Sequence, residues 1–364
     1  MTHNMPRVYN FSAGPAMIPA EVLECAASEM TDYKGTGMSV MEMSHRSKAY
    51  VELFGEVERK LCKLMNIPGT HKVLFLQGGA TLQFASVPMN LMGGRKSADY
   101  AITGFFSNKA YAEGQKYGGA RVALTTKDSD YTIIPLQSAF GVDPEAAFFH
   151  YCHNNTIFGT RWPYTPDTGN VPLACDMSSS ILSEPVDVSK FGVIYAGAQK
   201  NMGPAGLTVV IVRRDLTGNA MPHTPSVMDY AAQIQNDSMI NTPATYGIYL
   251  LGLVLDWVEK NGGLASMEKI NRAKAKLLYD LIDDSNLYRS GIAVNSRSMM
   301  NVTFNLGSAR LDDDFVKQAA NRGLTTLKGH RATGGIRASI YNAMPVEGVK
   351  ALCDFMKEFE FNNT

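Results

Sequence analysis

Short apolar runs recur between residues 72 and 212, and they constrain this chain more than any other feature. They are Lys72–Leu76, Ala98–Thr103, Ala120–Leu124, Ala147–Tyr151, Val171–Cys175, Val193–Ala196 and Leu207–Val212. Several lack the period-two alternation of a half-exposed strand, as expected when both faces of a sheet are covered. Segments of helical spacing separate them. This alternation is that of an α/β fold built on a mainly parallel sheet. The last two runs are joined by a short loop, so that pair fits an antiparallel arrangement.

Flanking helices complete the pattern. Pro19 occupies the first helical position ahead of AEVLECAASEM. Ser47–Met65 sets Val51, Phe54, Val57, Leu61 and Leu64 on one face. Thr245–Lys260 and Ala265–Asp283 read as long helices broken at Asn261-Gly262-Gly263. Beyond residue 285 the texture changes. Asn301–Asn305, Leu324–Leu327 and Gly335–Ile340 read as strands, and Asp312–Asn321 and Val346–Phe361 as helices. The expected organisation is a large domain over 19–262 and a smaller C-terminal α/β domain over 263–364, with a helical linker across 263–285. An N-terminal segment, 1–18, packs near the small domain.

Charge and cysteine content narrow the function. Lys+Arg and Asp+Glu are both 34, so no net charge favours nucleic acid or an anionic membrane. The longest apolar stretch, Tyr249–Val258, is interrupted by Gly252 and Asp256 and is too short to span a bilayer. Five scattered cysteines with no C-x-x-C pair fit neither a disulfide scaffold nor a zinc ribbon. They fit a reducing cytosol, and the first thirty residues hold no apolar run of a secretory signal. A cytoplasmic location is expected.

Lys200 lies in a Gly-rich loop between two apolar strands, in FGVIYAGAQKNMGPAGLT. It is either a loop lysine at a sheet edge or a Schiff-base lysine, whose amine is freed by partial burial. A Walker phosphate loop is excluded, because Asn201 stands where Ser or Thr is required. Asp176 ends the run Val171–Cys175, where open α/β sheets bind ligands. Alone, an Asp in this position is more often a helix cap. With Lys200 it points to pyridoxal phosphate, whose ring nitrogen needs a carboxylate partner. Gln77-Gly78-Gly79-Ala80-Thr81 follows a strand and opens a helix at Leu82. That is a phosphate cradle or simply a tight turn. Phe105 and Phe106, after another strand end, suit stacking on a planar cofactor or core packing.

Two His-Arg pairs, His45-Arg46 and His330-Arg331, occur in a chain with seven histidines, and Arg337 follows the second. Arginine forks match carboxylates and phosphates, so an anionic substrate is indicated, though any one pair also suits surface ion pairing. His150, Cys152 and His153 are rejected as a metal site and as a thiol–base pair, because strand geometry turns their side chains apart. No metal is expected.

NFSAGPAMIP, SVMEMSHRSK, GVIYAGAQKNMGPAGLT, NTPATYGIYLLGLVLDW and LKGHRATGGIRASIYNAMPVEGVKAL span nearly the full length. In these the chain resembles the phosphoserine aminotransferases, class V enzymes with the fold-type I pyridoxal-phosphate architecture. The resemblance implies a large domain with a mainly parallel seven-stranded sheet, a smaller C-terminal domain, and a homodimer with shared active sites. It implies exchange of the amino group between glutamate and 3-phosphohydroxypyruvate, giving 2-oxoglutarate and phosphoserine in serine biosynthesis.

By the same resemblance Lys200 is the Schiff-base lysine and proton shuttle, and Asp176 pairs with the pyridinium. Phe106 takes the stacking position, usually Trp, and Thr156 lies at the phenolic oxygen. Ala80, Thr81 and Gln199 contact the cofactor phosphate, with Asn241 and Thr242 reaching it from the partner. The cup reads GGATLQ where many relatives have GGGxGQ, and Ala13 stands where some carry Ser. Arg337 holds the substrate α-carboxylate. His330 and Arg331, with His45 and Arg46 of the second subunit, hold the distal phosphate or carboxylate. The alternatives are another class V transaminase, such as alanine–glyoxylate aminotransferase, and a catalytically silent binding protein of the same fold. A small neutral substrate does not need two His-Arg pairs, and intact Lys200 and Asp176 argue against silence.

Overall fold

The computed structural model describes residues 7–364. Residues 1–6, the start of the expected N-terminal segment, lie outside the described residues. All of the apolar runs between 72 and 212 become strands of one sheet. They are β1 His71–Leu76, β2 Ser97–Ile102, β3 Gly119–Thr125, β4 Phe149–Cys152, β5 Leu173–Asp176, β6 Val193–Gly197 and β7 Thr208–Arg213. Their order is β1-β7-β6-β5-β4-β2-β3. β7 is antiparallel to both neighbours, and the other pairs are parallel.

Uninterrupted apolar runs form because each face of the sheet has its own core. Val73 and Phe75 join one core with Phe54, Val57, Ile248 and Leu251, while Leu74 and Leu76 join another with Phe84 and Val87. Each fully buried Val, Leu or Phe contributes roughly 1.5–3 kcal/mol from water exclusion. Alternating residues of β5 to β7 divide between the two cores in the same way.

Some boundaries differ from those expected. β4 and β5 begin two residues late and end one residue late, because parallel pairing of Phe149 with Leu173 and Cys152 with Asp176 sets the ends. Pro19 stays extended, one position outside the helix Ala20–Ser28. In the helix Lys48–Leu64, Val51 is 49% exposed and Tyr50 and Leu53 are buried. Its buried stripe therefore runs through Tyr50, Leu53, Phe54, Val57 and Leu61, against the helix Thr245–Lys260.

A separate core gathers Phe11, Met300, Val302, Phe304, Phe315, Ile336, Val349 and Leu352. Asn301–Phe304 pairs antiparallel with Ile336–Ser339, and Tyr9–Asn10 pairs parallel with Leu324–Thr325. The helix Gly263–Asp284 places Leu264 and Met267 in the first core and Leu278 and Ile282 in this one. Among the described residues no helix is long and apolar enough to cross a membrane.

Candidate active site

Along the sheet, β2 and β3 progress one way and β4 to β6 the other, so the order reverses between β2 and β4. Ligands of open α/β sheets bind beside such a reversal, at the carboxyl ends of the strands. The expected cofactor residues follow those ends. Gly78 to Thr81 follow β1, Phe106 follows β2, Thr156 follows β4, Asp176 closes β5, and Gln199 and Lys200 follow β6.

After β1 the chain turns at Gly78, φ +90°, where a Cβ would lie 2.5 Å from Leu82 Cδ2. Only glycine fits there. The turn starts the helix Gly79–Leu91 three residues earlier than Leu82, so the amides of Ala80 and Thr81 belong to its first turn. Those N–H groups have no carbonyl within the helix and form an anion cradle.

Lys200 Nζ donates to Thr156 Oγ1 at 2.8 Å and lies 5.1 Å from the Phe106 ring centroid. Burial, chiefly, lowers its proton affinity; Asp176 and Cys152 oppose this and Arg337 adds to it. A larger share of the side chain is thus a free amine, the form that attacks an aldehyde. Asp176 is 7% exposed, and no Lys, Arg or His pairs with it within 4.0 Å among the described residues. Its Oδ1 accepts the Ser178 N–H at 2.8 Å. No helix follows Asp176, so the cap reading fails. A buried carboxylate without a cation calls for one from a ligand. A protonated pyridine ring, an aldehyde and a phosphate match Asp176, Lys200 and the glycine turn in turn, so pyridoxal phosphate fits this site.

Sequence reasoning missed the groups that orient Thr156. Its hydroxyl donates to Ser179 Oγ at 2.9 Å, and Ser179 donates to the Asn154 carbonyl at 3.0 Å. Asn154 Nδ2 bonds Ser179 Oγ and Asn301 Oδ1, both at 2.8 Å. The serines after Asp176 were visible in the sequence, but nothing in their spacing distinguishes Ser179 from its neighbours.

The expected substrate residues His330, Arg331 and Arg337 come from the C-terminal part that holds the separate core. Arg337, on the strand Ile336–Ser339, brings Nη1 to 3.5 Å from the Thr156 carbonyl. His330 packs its ring 5.5 Å from Phe105, which stands at 5.5 Å from Phe106. The Ala332 N–H donates to His330 Nδ1 at 3.2 Å, leaving Nε2–H free to donate. Burial, then Arg337, Arg331 and Lys109, lower the proton affinity of the His330 ring, which favours its neutral form. Neither Arg331 nor Arg337 has a carboxylate partner among the described residues.

The structure does not bring His45 and Arg46 to this cluster. They lie on the turn before the helix Lys48–Leu64, where Arg46 is exposed, and their side chains make no hydrogen bond or ion pair among the described residues. Asn241 donates to Gln77 Oε1 of its own chain at 2.9 Å, and both line a recess of about 190 Å³ with Gly78 and Leu82. Thr242 is exposed beside it. His150 and His153 have separate partners, Tyr195 and Ser180, and no His/Cys/Asp/Glu group fit for a metal occurs among the described residues.

Fold and site together define a pyridoxal-phosphate-dependent transaminase. The class-V aminotransferase family model matches residues 8–352. A phosphoserine aminotransferase of Nitrosomonas europaea is 52% identical, over 99% of this chain and 100% of its own length. The solved phosphoserine aminotransferase from Bacillus circulans subsp. alkalophilus superposes with a TM-score of 0.97 at 47% identity, covering 98% of this chain and 99% of that one. A phosphoserine aminotransferase from Trichomonas vaginalis with bound pyridoxal phosphate gives 0.93 at 40%, over 96% and 100%. The chain belongs to the phosphoserine aminotransferase family of class-V aminotransferases.

Proposed function

We infer that this protein moves an amino group between L-glutamate and 3-phosphohydroxypyruvate, giving 2-oxoglutarate and O-phospho-L-serine, a step of serine biosynthesis. The observation that carries this is the cluster of His330, Arg331 and Arg337 beside the Lys200 site, with no carboxylate partner among the described residues. Pyridoxal phosphate, when bound, supplies the electron sink that acidifies the substrate's α-C–H bond.

The chain's own residues do the rest. Lys200 anchors the cofactor and carries the proton at the α-carbon. Asp176 keeps the ring nitrogen charged, Thr156 sits at the phenolic oxygen, and Phe106 supports the ring. Ala80, Thr81 and Gln199 hold the phosphate. Arg337 takes the α-carboxylate, and His330 and Arg331 the distal anion.

The active unit is a homodimer in this reading. His45 and Arg46, left without partners in their own chain, complete the neighbouring site, and exposed Met38, Met41, Val51 and Val227 suit a protein interface. Asn241 and Thr242 serve the partner's phosphate cup, which places both cups near the symmetry axis. The domains divide at 262, after an N-terminal segment ending at 18. Five free thiols fit a cytoplasmic location. A neutral-substrate transaminase leaves the basic cluster without a role, and a silent binding protein leaves the Lys200 and Asp176 arrangement without one.

The test is spectral. Borohydride should fix the cofactor to wild-type protein but not to Lys200→Ala, and glutamate or phosphoserine should each discharge the lysine-bound absorbance. A discharge by alanine as fast as by phosphoserine would overturn the substrate assignment.

A further inference from the structure

The basic cluster has a further member that none of the motifs contains. Lys109 lies on the helix Phe105–Gly114, one turn beyond Phe105. Its Nζ stands 4.9 Å from the Phe105 ring centroid, and the His330 ring lies 5.5 Å from the same centroid. One aromatic ring therefore contacts both the ammonium and the imidazole, and the Lys109 charge acts on His330. Phe105 in turn meets Phe106, whose face carries the Lys200 amine. Lys109 is thus at the rim of the reaction site.

No acid answers this charge. Glu113, one turn along the helix, pairs with Lys116 at 2.7 Å. Lys109, Arg331 and Arg337 have no carboxylate partner within 4.0 Å among the described residues. Burial first, and then Arg337, Arg331 and Lys109 together, lower the proton affinity of His330. Like charges gathered around a cleft, with no counter-charge, attract an anionic ligand.

We propose that Lys109 is a specificity-determining residue that adds a cation to the distal-anion site and favours a phosphate dianion over a carboxylate. The inference rests on the function proposed above. Lysine is a compact charge on a flexible stem, so it follows the extra negative charge of a phosphate without fixing its orientation. Arg331 supplies the directional fork. Because Lys109 is exposed, its contribution is that of a solvated pair, about three- to fivefold in relative kcat/KM.

The experiment uses the holoenzyme and single-turnover rates with phosphoserine, glutamate and alanine. In Lys109→Met the phosphoserine-to-alanine ratio of kcat/KM should fall about three- to fivefold, and the glutamate-to-alanine ratio by less. Lys109→Glu should lower the phosphoserine ratio further, and Lys109→Arg should restore most of it. Added salt should erode the ratio in wild type more than in Lys109→Met. An unchanged ratio in Lys109→Met and Lys109→Glu would overturn the inference. Arg331→Leu separates the two claims. If it loses phosphoserine selectively while the Lys109 variants do not, only the Lys109 role fails. If neither does, the distal-anion reading fails with it.

Discussion

The Lys200 amine lies 2.8 Å from the Thr156 hydroxyl, and that hydroxyl directs its own proton to Ser179. The direction follows from Ser179, whose single proton goes to the Asn154 carbonyl while the Asn154 amide donates to its oxygen. Ser179 can only accept from Thr156, so Thr156 turns a lone pair toward the amine. The backbone carbonyl of Thr156 faces Arg337. One residue thus borders both the proposed proton carrier and the proposed carboxylate anchor.

Ser179→Ala should therefore act through Thr156. Losing one neutral hydrogen bond costs about 0.5–1.5 kcal/mol. The expected result is a roughly two- to tenfold lower kcat, with KM for glutamate nearly constant. The apoprotein supplies a second readout, the pH dependence of Lys200 labelling by an aldehyde. Its midpoint should move in Ser179→Ala. An unmoved midpoint with an equal loss in kcat and KM would reduce Ser179 to a packing role.

Much of this arrangement was legible in the sequence. Burial on both faces leaves strands with no alternation, so β1, β2 and β4 to β7 stood out as plain apolar runs, whereas the edge strand β3 is largely exposed. Lys200 and Asp176 were legible because polar groups at the ends of such runs need a reason to be there. The stripe of the helix Lys48–Leu64 was misplaced because Tyr50 and Val51 both satisfy the apolar period, and only packing chooses between them. Asn154, Ser179 and Lys109 were not legible. Their roles come from contacts across the fold, such as Asn154 with Asn301, which no local pattern encodes.

The shared-site proposal makes a prediction about mixtures. Lys200→Ala and Arg46→Ala homodimers should each be nearly inactive. After joint unfolding and re-association, a heterodimer has one site with both Lys200 and Arg46 intact. Activity should then return, up to about half per heterodimer if the two sites work independently. Purified heterodimers with no recovered activity would place Arg46 in its own subunit's site.

Lys274 predicts a pH dependence of stability. Its Nζ lies 3.0, 2.7 and 3.0 Å from the carbonyls of Ile340, Tyr341 and Met344; the ammonium donates to all three and the neutral amine to two of them. The turn it clamps carries Asn342, whose N–H donates to Asn201 Oδ1, next to Lys200. Burial pushes the Lys274 amine down to about 7, whereas an unfolded lysine titrates near ~10.4. Between those values the unfolded chain binds the extra proton, so stability rises with pH; below about 7 both states are protonated and the effect is flat. Relative to Lys274→Met, wild-type apoprotein should gain about 1.4 kcal/mol per pH unit between about pH 7.5 and 9.5. Denaturant titrations across that range measure it. A constant difference between the two proteins would show that Lys274 keeps an ordinary lysine titration.

Arg337 and Arg331 should separate catalysis from specificity. Arg337 is proposed to hold the α-carboxylate, which every amino-acid substrate has, and it already touches the Thr156 carbonyl. Arg331 is exposed on the turn beside His330 and is proposed to meet the distal anion, which alanine lacks. A hydrogen bond to a charged group contributes roughly 1.5–3 kcal/mol, on the order of 10- to 150-fold. Arg337→Leu should therefore weaken phosphoserine, glutamate and alanine alike by that order. Arg331→Leu should weaken phosphoserine and glutamate while the slow reaction with alanine changes little. Arg331→Lys should recover only part of the loss, because a point charge replaces the planar fork. Single-turnover discharge of the lysine-bound absorbance measures each case. Equal losses for alanine and phosphoserine in Arg331→Leu would remove the distal-anion role, and with it the physical case for a phosphorylated substrate.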